Sequence, residues 1–478
     1  MNRLVFIYIC LAWFFNPVFS QERGVFFSSS DTSLQTAFYR AKEMALHYKG
    51  KPGDPVGPWY ESALPPRSAF CMRDVSHQCI PAEVLGLSAE NKNMLTLFVK
   101  NISASKDWCS YWEINKNGKP APEDYRNDTA FWYNLNANFD ILNACWKLYL
   151  WTGDKDYINN QVFRNFYDRS VNEYITKWVL QPDSLLTRPA HPNASSSFNI
   201  HDDFHRCRGL PSYSEGVYNI KIGIDLVAAL YRGLLSYGAI LDADGNAKDA
   251  KQFEQKAILY QQYIDKYWWD ETAGRYNTFY SNSNEFGKNE GETFLLWFDA
   301  LTDSARKRKT IERILTDNWN VENMSYFPYV FYKYGYWDKA FEYMLLLTNP
   351  ETKRREYPEV SYGVILGFAS GLMGIEPDAR FNRVATIYKT NTIDSSYLQN
   401  VPVMGTLISI KHFSGRSEFT NEGPASVIWR AKFYGAHSII TVDKKSEKAI
   451  IEKDGDGKMI SYVDIKISKG ERRVASLK

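Results

Sequence analysis

The sequence predicts a mainly α fold: an (α/α)6 toroid of six helical hairpins followed by a C-terminal antiparallel β-sandwich. Three observations carry it. Amphipathic and almost wholly apolar helical segments alternate from residue 32 to residue 375, and the hydrophobic period turns strand-like after Pro377. Of the 478 residues, 44% are hydrophobic and 15% aromatic, enough to fill a thick ring of helices. The organisation implied is a signal segment over 1–20, a helical barrel over 21–376 and a β-sandwich over 377–478.

At the N-terminus Arg3 precedes an apolar run from Leu4 to Phe15, and Val18-Phe19-Ser20 ends on a small residue. A run of about 12 apolar residues is too short to span a bilayer and has the layout of a secretory signal. The expectation is a secreted or periplasmic protein. No membrane insertion of the mature chain is expected, since no later stretch approaches about 18 uninterrupted apolar residues. Cys10 follows Ile9, where a lipidation cysteine needs a small neighbour.

Charge-rich helices are read over 34–49, 89–102, 155–178, 247–268, 304–318 and 336–347; each has one apolar stripe and belongs in an outer layer. Apolar or small-residue helices are read over 72–85, 131–150, 217–241, 291–301, 325–334 and 360–375; these must be buried on most sides. Outer helices alternating with inner ones are what a closed ring of hairpins requires. Beyond Pro377, segments 405–412, 425–432, 438–442 and 459–467 alternate between short turns, as sandwich strands do. Asp454-Gly-Asp-Gly457 has only a fragment of a Ca²⁺ loop and reads as a hairpin turn.

With 57 basic against 55 acidic side chains the net charge is +2, which excludes a polybasic nucleic-acid footprint. Cys71, Cys79, Cys109, Cys145 and Cys207 remain after the signal segment, an odd set without a CxxC pair, so buried thiols are expected. No GxGxxG, GxxxxGK(S/T) or GxSxG occurs. Dinucleotide, P-loop and α/β-hydrolase readings fall away, and no cofactor is implied.

In a ring of helices the inner N-termini converge on one face, where free N–H groups and dipoles favour polar ligands. Unusual polar residues collect there. Arg73, Asp74, His77 and Gln78 open the first inner helix, and Trp132, Tyr133, Asn134, Asn136 and Asn138 the second. Asp202, Asp203 and His205, then Glu215 and Tyr218, precede the third; Glu290 and Glu292 flank Gly291 before the fourth. Tyr326 heads the fifth, and Glu356, Glu359 and Tyr362 the sixth. Between the first two, the loop 103–128 carries Trp108, Tyr111, Trp112 and Tyr125, read as a wall for substrate. Carboxylates, amides and rings in one basin suit a carbohydrate, and glycosidic cleavage needs one protonated carboxyl and a second carboxylate. Asp74, beside Arg73, reads equally as a structural ion pair. Only one of Glu290 and Glu292 can easily face inward, and the asparagines fit sugar contact or helix capping. His201, Asp202, Asp203 and His205 fit hydroxyl binding better than a metal, because no HExxH accompanies them.

At these residues the chain resembles the six-hairpin glycoside hydrolases. Phe70-Cys-Met-Arg-Asp-Val-Ser-His-Gln78 is similar to a motif of the exo-α-1,6-mannosidases and more loosely to the Gly-Trp-Asp region of trehalases. Cys71 replaces the mannosidase motif's tryptophan. Tyr357-Pro-Glu-Val-Ser-Tyr362 corresponds in place to the family's general base, and the sandwich after a barrel is similar to that of α-L-rhamnosidases. The resemblance implies Glu359 as base. It implies Asp74 as acid or sugar ligand, and Glu215, at the head of a central inner helix, is the acid otherwise favoured. Substrate contacts are expected from Arg73, His77, Gln78, Trp112, Tyr133, Asn134, Asn138, Asp202, Asp203, His205, Tyr218, Glu292, Tyr326, Glu356 and Tyr362.

The leading expectation is therefore an exo-acting, inverting, metal-independent glycoside hydrolase on an oligosaccharide or polysaccharide of a plant or host. Arg73, Arg206 and Arg208 hint at a uronic acid. One alternative is a polysaccharide lyase or unsaturated glucuronyl hydrolase using His77, His201, His205 and Tyr218. Another is a glycan-binding protein without catalysis.

Overall fold

The computed structural model describes residues 24–65, 67–214, 216, 217 and 219–478; the expected signal segment, Glu215 and Tyr218 lie outside these residues. Helices α1 (Thr32–His47), α2 (Met72–Val84), α3 (Ser88–Lys100), α4 (Ala137–Thr152) and α5 (Gln161–Arg169) form the first part. Then come α6 (Ile224–Ala243), α7 (Ala247–Tyr267), α8 (Glu292–Trp297), α9 (Ser304–Thr316), α10 (Phe327–Lys333), α11 (Trp337–Thr348) and α12 (Pro358–Leu366).

The two kinds of helix differ in burial as their patterns require. On α7 only Ala250, Phe253, Ala257, Tyr260, Gln261 and Ile264 are buried, one stripe at helical spacing. On α2 the buried set includes Asp74, Ser76, Gln78 and Glu83 as well as the apolar residues, so the helix is enclosed. Among the enclosed helices α2 packs on α4, α4 on α6, α6 on α8 and α10 on α12, and α12 returns to α2. Between α8 and α10, Trp297 meets Tyr326 and Tyr329 with ring centroids 4.9 and 5.5 Å apart. On the outside α3 lies on α2, α7 on α6, α9 on α8, α11 on α10, and α1 on α11 and α12.

Two enclosed helices begin later than their hydrophobic runs suggest. Ala130–Phe131, Tyr133–Asn134 and Ile220–Gly223 are short strands, and α4 and α6 start after them. Aromatic and β-branched residues favour the extended lead-in. At Gly223 a Cβ would lie 2.3 Å from Asp225 Oδ1 and 2.5 Å from Ser212 Oγ, so the backbone passes too close for another residue. Helix α6 has the length and hydropathy to cross a membrane, but 78% of that stretch is buried within the fold.

The C-terminal part has two facing sheets. One runs Phe26–Ser29, Ser395–Val403, Thr406–Phe413, Arg416–Asn421, Arg472–Ser476, Ile439–Val442 and Lys445–Lys448; the other runs Glu376–Asp378, Arg383–Thr386, Val427–Tyr434, Met459–Ile467 and Ile450–Lys453. Phe419 of the first and Trp429 of the second stack at 5.4 Å. Two details differ from the expectation. Arg383–Thr386 pairs with Val427–Tyr434 in parallel, and Phe26–Ser29, assigned by position to the helical part, pairs with Ser395–Val403 in the sheet. Asp454 Oδ1 accepts from the Asp456 and Lys458 amides at 3.0 and 2.9 Å, closing a hairpin turn. Cys71, Cys79, Cys109, Cys145 and Cys207 are all buried.

At Gly363, within α12, a Cβ would lie 2.1 Å from the Ser325 carbonyl oxygen. Helix α12 and the lead-in to α10 are thus in backbone contact. Gly363→Ala is expected to lower stability by about 1–3 kcal/mol, read as a fall in urea midpoint at unchanged slope.

Candidate active site

A cavity of about 380 Å³ opens where α2, α10 and α12 begin. Asp74 reaches it from the first turn of α2 and Glu359 from the first turn of α12, whose start is set by Pro358 after an extended Tyr357. Strand Ala69–Cys71 pairs with Glu113–Asn115, and the Met72 amide donates to the Trp112 carbonyl at 2.9 Å. That pairing delivers Trp112 and Glu113 to the cavity beside Arg73. Tyr326, Tyr213 and Trp132 supply further aromatic surface.

Burial, and then the charge of Asp74, push the Glu359 carboxyl up to about 8. Asp74 is 8% exposed, with Arg73 Nε 3.4 Å from its Oδ1. A carboxyl pushed this far up keeps its proton at neutral pH, so Glu359 is the protonated acid of the cavity. A second pair lies on the same wall. Burial and then Asp124 push Glu113 up to about 9, while Arg67 donates to Glu113 at 2.7 Å and lies 3.5 Å from Asp124. Sequence reasoning missed Arg67, Glu113, Asp124, Tyr213 and Glu322 at this cavity. Glu113 carried no signal beyond following Trp112, and Asp124 and Glu322 carried none.

Of the flanking acids, Glu290 lines the cavity and accepts from Asn320 and Asn323 at 3.2 and 2.9 Å. Glu292 does not. It is fully buried and bound by Arg275 through two bonds of 2.8 and 3.3 Å, because Gly291, at φ +133°, turns the chain between the two acids. Arg73, Asp74, Trp112, Tyr326 and Glu359 do line the cavity.

The other named residues are placed elsewhere. His77 lies behind Tyr326, with Nδ1 2.7 Å from the phenol oxygen. Gln78 and Asn134 are buried amides on which no side-chain partner acts. Tyr133 donates to Asn138, which donates to Ser170 Oγ at 2.9 Å, so both are core hydrogen-bond partners. Tyr362 is buried against Tyr60 at 5.1 Å, and Glu356 is an exposed residue whose carbonyl accepts from Tyr48. Asp202 caps the short helix Asp203–Arg206 and accepts from Arg126 at 2.6 Å; Asp203 pairs with Arg206 at 2.6 Å; His205 Nδ1 accepts from the Asn199 amide at 3.2 Å. Arg208 pairs with Asp107 and lies over Phe131 and Trp178. Of the four aromatic residues in the 103–128 loop only Trp112 reaches the cavity; Tyr111 and Tyr125 pack edge-on at 5.1 Å, and Trp108 lines a separate groove. Among the described residues no group of three or more His, Cys, Asp or Glu could hold a metal ion.

The fold is similar to that of solved glycoside hydrolases. Residues 170–329 match the family model described as Trehalase. No curated protein matches the sequence significantly. An α-L-rhamnosidase from Dictyoglumus thermophilum superposes with a TM-score of 0.60 at 12% identity, over 95% of this chain and 50% of that one. A rhamnosidase from Bacillus sp. GL1 gives 0.58 at 13% identity, over 83% of this chain and 40% of that one. The chain thus spans half the length or less of these two proteins. These likenesses show the fold.

Because the Glu359 carboxyl titrates near 4.5 when unperturbed and about 8 in the fold, its contribution to stability is complete below 4.5 and lost as pH rises through about 8. The Tm of Glu359→Gln relative to the unsubstituted protein should therefore rise between about pH 5 and pH 8 and level off above that. A constant difference would mean that Glu359 is not perturbed.

Proposed function

We propose that the protein is a secreted, exo-acting glycoside hydrolase that removes terminal neutral sugars with inversion, using Asp74 and Glu359 at the mouth of a six-hairpin toroid. The observation that carries the reading is that Asp74 and Glu359 line one aromatic cavity, with burial and the Asp74 charge holding Glu359 well above the usual carboxylate range. Glu359 gives its proton to the departing glycosidic oxygen. Asp74 takes a proton from the water that attacks the anomeric carbon on the opposite face. These roles reverse those implied by the family resemblance, and the upward push on the Glu359 carboxyl supports the reversal. A cavity of about 380 Å³ is at the small end for ligand sites, which favours one terminal residue over a long chain.

The lining also favours a neutral sugar over a uronic acid. It has six carboxyl side chains, Asp74, Glu113, Asp124, Glu290, Glu322 and Glu359, against Arg67 and Arg73. Both arginines face carboxylates, and Arg206 and Arg208 pair elsewhere. The lyase reading loses support because His77, His201 and His205 are not among the lining residues.

The test is digestion of a glycan panel, with and without inorganic phosphate, with product anomers followed by proton NMR. Glu359→Gln and Asp74→Asn should each lower kcat by about 10²–10⁴-fold. Near-normal turnover in either would end the assignment, and equal loss in Glu215→Gln alone would move the acid there. The kcat/KM profile should fall as pH rises through about 8, where Glu359 loses its proton. A limb that rises there would make Glu359 the base.

A further inference from the structure

Behind the cavity, one buried carboxylate serves two of its tyrosines. Asp140 of α4 is 1% exposed and accepts from the Tyr213 hydroxyl through Oδ2. Its Oδ1 lies 3.3 Å from His77 Nε2, and His77 Nδ1 lies 2.7 Å from the Tyr326 hydroxyl. Tyr213 and Tyr326 both line the cavity; Asp140 and His77 do not. The imidazole is held by Trp297, Phe298 and Phe294, with ring centroids at 5.5, 6.0 and 6.2 Å.

We propose that Asp140 and His77 are positioning residues that turn the hydroxyl hydrogens of Tyr213 and Tyr326 inward, so that both phenols meet the ligand as hydrogen-bond acceptors. A carboxylate only accepts, and an imidazole with one proton has one donor and one acceptor nitrogen. The Asp140 carboxylate 3.3 Å away is at ion-pair distance but outside hydrogen-bond geometry, and its charge favours the tautomer with the proton on Nε2. Nδ1 is then an acceptor, and the Tyr326 hydroxyl has to donate to it. Tyr213 is committed to Asp140 in the same sense. Burial above all keeps both phenols protonated. Two unpartnered buried side-chain atoms on the cavity wall, Glu322 Oε2 and Asn323 Oδ1, are oxygens as well. Such a wall selects a ligand rich in hydroxyl donors. That the ligand is a glycoside rests on the function proposed above; the proton positions do not.

The first experiment is nitrogen NMR of histidine-labelled protein, with the His77 signals identified by their loss in His77→Gln. The unsubstituted protein should show the Nε2–H tautomer. Asp140→Asn keeps an acceptor for Tyr213 but presents an amide donor to Nε2, so the proton should move to Nδ1. The same tautomer in both proteins would overturn the proposal. The second uses whichever glycoside is hydrolysed. Tyr326→Phe should raise KM about tenfold with a smaller change in kcat, the size of one lost hydrogen bond. His77→Gln should add nothing in the Tyr326→Phe background, and additive losses would overturn the relay. If no glycoside is hydrolysed but the tautomer switches, the glycosidase reading fails and the relay stands.

Discussion

Asp225 stands in the first turn of α6 without solvent exposure, and three donors meet it. The Tyr213 amide donates at 2.6 Å, the Ser212 hydroxyl at 2.8 Å and the Asn136 side chain at 3.0 Å. Burial pushes the carboxyl up to about 6 and these bonds pull it back, so the interaction is strong only while all three persist. Through it the lead-in to α4, the loop before α6 and α6 itself are held to one another. Tyr213 owes its position on the cavity wall to this junction. The chain from Asp140 through His77 to Tyr326 depends on α4 keeping the same place.

The alternation of helices was legible because it follows from burial. One apolar stripe on 247–268 and an apolar surface all round on 360–375 each permit one layer only. The sandwich strands were legible for the same reason. The starts of α4 and α6 were not, because an apolar run does not distinguish a strand entering a helix from the helix itself. The site was legible as a region. Asp74 and Glu359 are acids in first turns at the convergent ends of enclosed helices, but so is Glu292, and only a contact with Arg275, 17 residues earlier in sequence, separates a buried ion pair from a cavity wall. Asp140 and Glu113 show the converse: neither stood out in sequence, since each acquires its significance from a partner brought up by the fold.

Charge in the cavity is arranged in pairs rather than as a field. Burial first and then the charge of a neighbouring acid, Asp74 for Glu359 and Asp124 for Glu113, push these two carboxyls up, while Arg67 pairs with Glu113 and Arg73 with Asp74. An arginine already bound to a carboxylate has few donors left for a ligand, and the lining as a whole would repel an anion. The aromatic content divides in a similar way: most of it fills the helical layers, and a small part, Trp112, Trp132, Tyr213 and Tyr326, forms surface on which a sugar ring could rest.

The pairing of Phe26–Ser29 with Ser395–Val403 has a consequence for how the molecule comes apart. The chain places one strand of the sheet before the helices and the others after them. Helix α1 follows that strand and packs on α12, which leads into the second sheet. The helical layers are therefore clasped at both ends by the sandwich, by its first sheet before α1 and its second after α12. A nick between residues 376 and 395 would leave that clasp hydrogen-bonded, and heating should melt helices and sandwich in one calorimetric transition rather than as separate beads.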